Sequence, residues 1–271
     1  MGEFGEQRRI GKIGFVERGG EELADGHGPN AHRRAVAVRL AISGALKWWP
    51  WPAPNGKGVG MDYRLAHIDS LFPTPLLRFR VDRHEALNTA LLAEIAERRA
   101  VEPGIERTNR KGWHSTTDLF DRREPAQARL CAMVREIVID ATRRMAPKTA
   151  LDSLVLHCDG WINASPTGGY NAPHAHAGSF WSGVYYVAVP GGAEDGGEID
   201  FIAPQHLHSP GGLIQAPMTA GKARFRPAAG TLLLFPATLT HFVHPNHAAA
   251  ERVTVAFNAW FSAQPQLAAN P

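Results

Sequence analysis

After Pro147 the chain stops reading as helix. Six short runs rich in β-branched and aromatic residues, at 154–162, 180–189, 198–202, 222–225, 231–235 and 252–261, are separated by Gly/Pro-rich turns, and no helical period falls between them. Strands that follow one another without crossover helices pair antiparallel, so this half of the chain is restricted to a barrel or sandwich. The βαβ alternation of dinucleotide-binding folds is excluded. Gly191-Gly192 and Gly196-Gly197 therefore read as hairpin glycines, since no helix follows either pair.

Two helices are expected ahead of the β region. Leu87, Leu91, Leu92, Ile95 and Ala96 recur at helical spacing through 84–100. Pro125 suits the first turn of a second helix, whose buried face is Leu130, Met133, Val134, Ile137 and Val138, ending near Met145. A short strand at 76–81 precedes them, after the turn Phe72-Pro73-Thr74-Pro75. The fold class is thus mainly β (α+β), a β core at about 150–262 buttressed by helices at about 84–145. Residues 1–60 differ: Gly, Arg and Glu predominate, no period persists, and the stretch closes on Trp48-Trp49-Pro50-Trp51-Pro52. Residues 33–46 have the spacing of a short amphipathic helix, but the segment as a whole reads as a poorly ordered or dispensable extension, with the regular domain at 61–271.

Composition narrows the function classes. Lysines and arginines exceed acidic residues by only three and form no stripe interleaved with aromatics, so nucleic acid is not expected. Cys131 and Cys158 are the only cysteines, too few for a disulfide framework and wrongly spaced for a zinc ribbon, and read as free thiols. No secretory signal and no apolar run of about 18–20 residues is present, so a soluble, cytoplasmic protein without a membrane partner is expected. Nothing in the pattern sets the oligomeric state.

One constellation carries chemistry. In or at the end of a strand, residues i and i+2 share a face, so His174 and His176 can converge on one ion while Ala175 points away. Imidazole suits iron, zinc, copper or nickel, and a chance His-x-His pair is easy to find among 13 histidines. His241, after the strand and turn Leu232-Leu233-Leu234-Phe235-Pro236, is a third candidate; His244 and His247 compete from a loop. In 252–257, alternation puts Arg252 and Thr254 on one face and Val253, Val255 and Phe257 on the other. A guanidinium beside a hydroxyl can clamp a carboxylate through its planar fork, whereas an edge-strand arginine would instead pair with Glu251.

These residues resemble the iron(II)- and 2-oxoglutarate-dependent dioxygenases, which have a double-stranded β-helix (jelly-roll, cupin-like) fold. The resemblance rests on three separated motifs in order. They are Asn109-Arg110-Lys111-Gly112-Trp113-His114-Ser115, the run from Tyr170-Asn171-Ala172-Pro173-His174-Ala175-His176 to Ser182-Gly183-Val184-Tyr185-Tyr186, and the ending from Gly230-Thr231-Leu232 through His241 to Arg252-Val253-Thr254 and Asn258. Together they span roughly 62–261. The resemblance implies an oxygenase with Fe(II) held by His174, His176 and His241, and 2-oxoglutarate held by Arg252, Thr254 and Tyr186. Asn163, Asn171 and Asn258 would line the pocket, with Trp113 and His114 near the substrate. The implied reaction is hydroxylation of a small molecule or peptide with molecular oxygen, releasing succinate and carbon dioxide.

The chain departs from the wider superfamily at His176, where a carboxylate usually stands. An all-histidine site is also what many cupins have. That leaves a three-histidine cupin enzyme not using 2-oxoglutarate, and a non-catalytic metal-binding barrel, as rivals. It also leaves Asp200 as a candidate to complete the metal shell. A chain beginning at Met61 is expected to fold and turn over like the full-length protein, which circular dichroism and an activity comparison check; loss of fold would rule out a dispensable extension.

Overall fold

The computed structural model describes residue 67 and residues 71–192, 194–205 and 212–264. The extension at 1–60, its helix at 33–46 and its tryptophans lie outside the described residues. Every helix and strand of the fold belongs to one unit, Phe72–Pro271.

A first strand, β1 (Leu77–Arg80), leads into helix α1 (His84–Val101). Two two-residue strands, β2 (Asn109–Arg110) and β3 (Trp113–His114), come before helix α2 (Pro125–Met145), which starts on its proline as the sequence predicts. The β region follows as β4 (Leu154–Ser165), β5 (Tyr170–His174), β6 (Trp181–Ala188), β7 (Ile199–Ile202), β8 (Lys222–Phe225), β9 (Thr231–Pro236), β10 (His241–Val243) and β11 (Arg252–Ala263). All pairings between these strands are antiparallel. They form a major sheet in the order β1-β9-β6-β11-β4-β3 and a minor sheet in the order β2-β5-β10-β7-β8.

Each sheet has a division of labour set by period-2 alternation. On the outer face of the major sheet, Ile162, Ala164, Val253, Val255, Phe257 and Ala259 join Leu91, Ile95, Leu130, Val134 and Val138 of the helices in one core. Polar ties fix the helices to it. Asn88 Nδ2 donates to Val187 O at 2.7 Å, Tyr185 Oη to Asn88 Oδ1 at 2.6 Å, and Trp181 Nε1 to Thr142 Oγ1 at 2.9 Å. A second apolar cluster, including Val184, Phe201, Leu233, Phe235 and Leu239, fills part of the space between the sheets. The helical buttress and β core thus stand where the sequence predicts.

One expectation needs correction. Gly191-Gly192 and Gly196-Gly197 lie in the connection from β6 in the major sheet to β7 in the minor one, so they belong to a crossing between sheets rather than a hairpin, and Gly196 and Gly197 have positive φ. The segment 109–115 links the two sheets. Its strand β2 pairs with β5 and its strand β3 with β4, so it staples the two sheets at one edge around Lys111, whose φ is 57°.

Gly183 shows how tightly the central strands meet. A Cβ there would collide with the Phe257 ring and approach Leu233 O at 2.8 Å, with backbone on one side that cannot yield. Gly183→Ala is therefore expected to destabilise the protein by about 1–3 kcal/mol, as overpacking of a filled core does, read from denaturant unfolding midpoints.

Candidate metal centre and co-substrate cavity

Between the sheets lies a cavity of about 310 Å³. Its wall on the major sheet is centred on three strands, with His114 of β3 and Phe235 of β9 at the margins, and the register makes the centre a grid. Thr254 sits between Asn163 and Tyr186, Ala256 between Trp161 and Val184, and Asn258 between Asp159 and Ser182, each triplet being a cross-strand row on β4, β11 and β6. The minor sheet supplies the imidazoles. His174 is the last residue of β5 and pairs in register with His241, the first of β10. His176 lies two residues beyond the strand, where its backbone N–H donates to Ala237 O at 2.8 Å and turns the chain back over the cavity.

One ligand atom from each of His174, His176 and His241 lies within 4.8 Å of the others. The ring centroids are 5.0 Å apart for His174 and His176, 4.4 Å for His174 and His241, and 5.4 Å for His176 and His241. Two of the rings are braced. His174 Nδ1 meets Ala172 O at 2.7 Å and His241 Nδ1 meets Leu239 O at 2.9 Å. A carbonyl only accepts, so in both rings Nδ1 carries the proton and Nε2 keeps its lone pair for a metal. Burial, reinforced by the neighbouring imidazoles, pushes His241 down to about 3, and burial also pushes His176 down to about 4 and lowers His174. All three are neutral near pH 7, the protonation state a metal requires. His176 has no such brace; its ring leans on Trp161 at 5.5 Å.

The other pole is Arg252. The alternative of an edge-strand ion pair with Glu251 fails, because Glu251 is taken by Arg99 at 2.7 and 3.1 Å and β11 is an interior strand. Arg252 is only 2% exposed, its Nε has no partner, and no carboxylate pairs with it among the described residues. Its guanidinium carbon lies 5.1 Å from the centre of the Tyr186 ring, and the Tyr186 hydroxyl is also buried without a partner in ordinary hydrogen-bond geometry. Burial raises the phenol pKa, with the arginine charge pulling the other way. Gly197 makes room for this side chain: a Cβ there would stand 3.0 Å from Arg252 Cδ.

Most of the predicted site residues come together and a few do not. His174, His176, His241, Arg252, Thr254, Asn163, Asn171, Asn258 and His114 line the cavity, and Tyr186 lies behind its surface. Trp113 does not line it. Its indole donates to Glu102 O at 3.0 Å and packs on the helical core, so it is a structural residue. Asp200 is also removed from the metal shell. It shares a face with Phe242 and Arg224, opposite to His241, and is held by Arg224 at 2.7 Å, Lys222 at 3.0 Å and His244 at 3.0 Å. That contact also takes His244 out of competition with His241. Asp159 was not singled out by the sequence, Ser182 appeared only as part of a motif and Gly197 only as a turn glycine, none of them with a role at the site. Asp159 shares the parity of Trp161 and Asn163 along β4, a signal that becomes readable only once the register with β11 is known.

The fold is the double-stranded β-helix. The epimerase SnoN in complex with Fe3+, alpha-ketoglutarate and nogalamycin RO is similar over 72% of this chain and 88% of its own, at 14% identity and a TM-score of 0.50. A Pseudomonas putida prolyl-4-hydroxylase matches 70% of this chain and 92% of its own at 18% identity and a TM-score of 0.49. HygX from Streptomyces hygroscopicus with nickel, 2-oxoglutarate and hygromycin B matches 69% and 83% at 14% identity and 0.48. No curated protein sequence matches this chain. Residues 159–258, which begin at Asp159 and end at its cross-strand partner Asn258, match the family described as "Putative 2OG-Fe(II) oxygenase", a description that names Fe(II) and 2-oxoglutarate. The residues present fit both groups, three neutral imidazoles for the metal and the orphaned Arg252 and Tyr186 for a carboxylate.

Protein purified without an affinity tag and reconstituted anaerobically is expected to bind a single equivalent of Fe(II), falling to background in His174→Ala and in His241→Ala. Elemental analysis checks this, and full retention in both variants would remove the centre from these histidines.

Proposed function

We propose that His174, His176 and His241 hold the iron and that Arg252, Thr254 and Tyr186 receive the distal carboxylate of 2-oxoglutarate. The reaction is hydroxylation of a small molecule or peptide side chain: one atom of molecular oxygen enters the substrate, the other enters succinate, and carbon dioxide leaves. The observation that carries this reading is the buried, unpaired Arg252. A guanidinium sealed from water without an anion is costly, so its partner is supplied by a ligand.

When bound, the iron and the oxoacid supply the oxidation itself. The chain supplies position and exclusion. Arg252 offers two parallel donors to a carboxylate, with Thr254 and its cross-strand partner Asn163 two residues further along the strands. His174 and His241 hold fixed lone pairs through their backbone braces. Phe235, 4.9 Å from His241, and Trp161 wall the centre against water, which protects a reactive site from side reactions. The activity is assigned to the domain at 61–271, with 1–60 as an extension. Among the described residues no helix is long and apolar enough to cross a membrane. A cytoplasmic location goes with Cys131 and Cys158 being free thiols.

Anaerobic addition of 2-oxoglutarate to the Fe(II) protein is expected to give a visible charge-transfer absorption. In Arg252→Ala the oxoacid concentration needed should rise by at least about tenfold, the loss of hydrogen bonds to a charged group. No band from iron-loaded protein, together with turnover indifferent to the oxoacid, would favour a three-histidine cupin instead.

A further inference from the structure

The end of the cavity opposite Arg252 has no assigned use. Its row is Asp159, Asn258 and Ser182, contributed by three neighbouring strands in register, and all three side chains face the cavity. Asp159 Oδ1 and Asn258 Oδ1 are buried and have no hydrogen-bond partner. Ser182 donates only a long bond, 3.4 Å, to Phe257 O, and its oxygen is free to accept. Asp159 is the one carboxylate lining the cavity among the described residues, and no cation stands against it; burial raises its pKa, with hydrogen bonding from Asn258 pulling the other way.

Three acceptors in one row, one of them ionisable to a negative charge, match the three N–H donors and single positive charge of an alkylammonium group. The row lies four residues along β11 from Thr254 and six from Arg252. At about 3.4 Å per residue it stands about 14 Å from the row of Thr254. A five-carbon diacid anchored at Arg252 does not reach it. The middle row carries Trp161, on which the His176 ring leans, so the metal centre stands between the two polar rows.

We propose that Asp159, Asn258 and Ser182 form a substrate subsite for a cationic amine, so that the enzyme oxidises a carbon of an ammonium-bearing molecule or side chain. The inference rests on the reading of Arg252 as the co-substrate clamp, which reserves the opposite end for the substrate. The cavity is then polarised, with the buried Arg252 at the end for the dianionic co-substrate and Asp159 at the end for the substrate, the exposed Arg107 being a second cation on the lining, near His114. A co-substrate placed at the Asp159 end, or an ammonium placed at the Arg252 end, meets a like charge, which sets the orientation of both ligands.

The test uses the full chain loaded with Zn(II) and three small probes at pH 7, n-propylammonium, propanoate and 1-propanol, with binding read by saturation-transfer NMR and titration. Propylammonium is expected to bind at least about tenfold more tightly than propanol and to lose about tenfold in Asp159→Asn while keeping its affinity in Arg252→Ala. Propanoate should show the reverse dependence, on Arg252 and not on Asp159. If Asp159→Asn does not fold, Asn258→Ala carries the test with the charge left in place. Equal binding of propylammonium and propanol, or undiminished binding in both folded variants, overturns the subsite. Loss of the propanoate arm alone overturns the Arg252 reading and, with it, the assignment of the amine site to the substrate, although amine binding itself persists; loss of the propylammonium arm alone overturns the subsite and spares the Arg252 reading.

Discussion

The register of β11 between β4 and β6 is the constraint on which the rest depends. Twelve consecutive pairs join β11 to β4, from Arg252 opposite Ser165 to Ala263 opposite Leu154. Because side chains alternate, this register sends Arg252, Thr254, Ala256 and Asn258 into the cavity and Val253, Val255, Phe257 and Ala259 into the helical core. A slip of one residue would exchange the two sets, burying a guanidinium against α1 and α2 and pointing Phe257 at the metal centre. A glycine guards against it. Gly183 lies opposite Phe257 on the neighbouring strand, and the space left by its missing side chain is filled by the Phe257 ring.

The long elements of this fold were legible because their signal is local. The 222–225 strand and the Pro125–Met145 helix fall where propensity and period place them, and β4 and β11 exceed their expected ends by only a few residues. The short strands β5 and β10 were not legible. Five residues containing a proline, and three residues beginning with histidine, carry no alternation of their own and are extended because neighbours on both sides pair with them. Those two strands carry His174 and His241. The residues that bear the chemistry were recognisable, but what brings them within 4.8 Å of one another was not. Gly197 is a similar case. Its neighbour in space is 55 residues away in sequence, and only the fold shows that it makes room for Arg252.

A centre of three neutral imidazoles shifts the electrostatic balance toward the ligands. With Asp200 occupied on the far face and Asp159 outside the cluster, a metal held by the three proposed histidines would receive no negative charge from the described residues. A divalent ion held this way keeps its full charge until the co-substrate arrives, so the carboxylates of the oxoacid do part of what a protein carboxylate does in related sites. Metal and co-substrate should therefore reinforce each other's binding more strongly than in a site with its own anion. His176, the imidazole without a backbone brace, has the most freedom to adjust as that happens.

The braces on His174 and His241 have a consequence for how this centre can change over time. In each case the accepting carbonyl belongs to the residue two positions earlier in the same chain segment, Ala172 for one and Leu239 for the other. The tautomer and tilt of both rings are thus written in main-chain geometry, which substitution at 172 or 239 leaves in place so long as the local path is kept. Many metalloproteins instead orient their histidines with a distant carboxylate, which must be retained alongside the ligands. Here there is no such second residue to lose. The surrounding side chains are free to drift, and the lining of the cavity can be rebuilt around a metal centre that carries its own alignment.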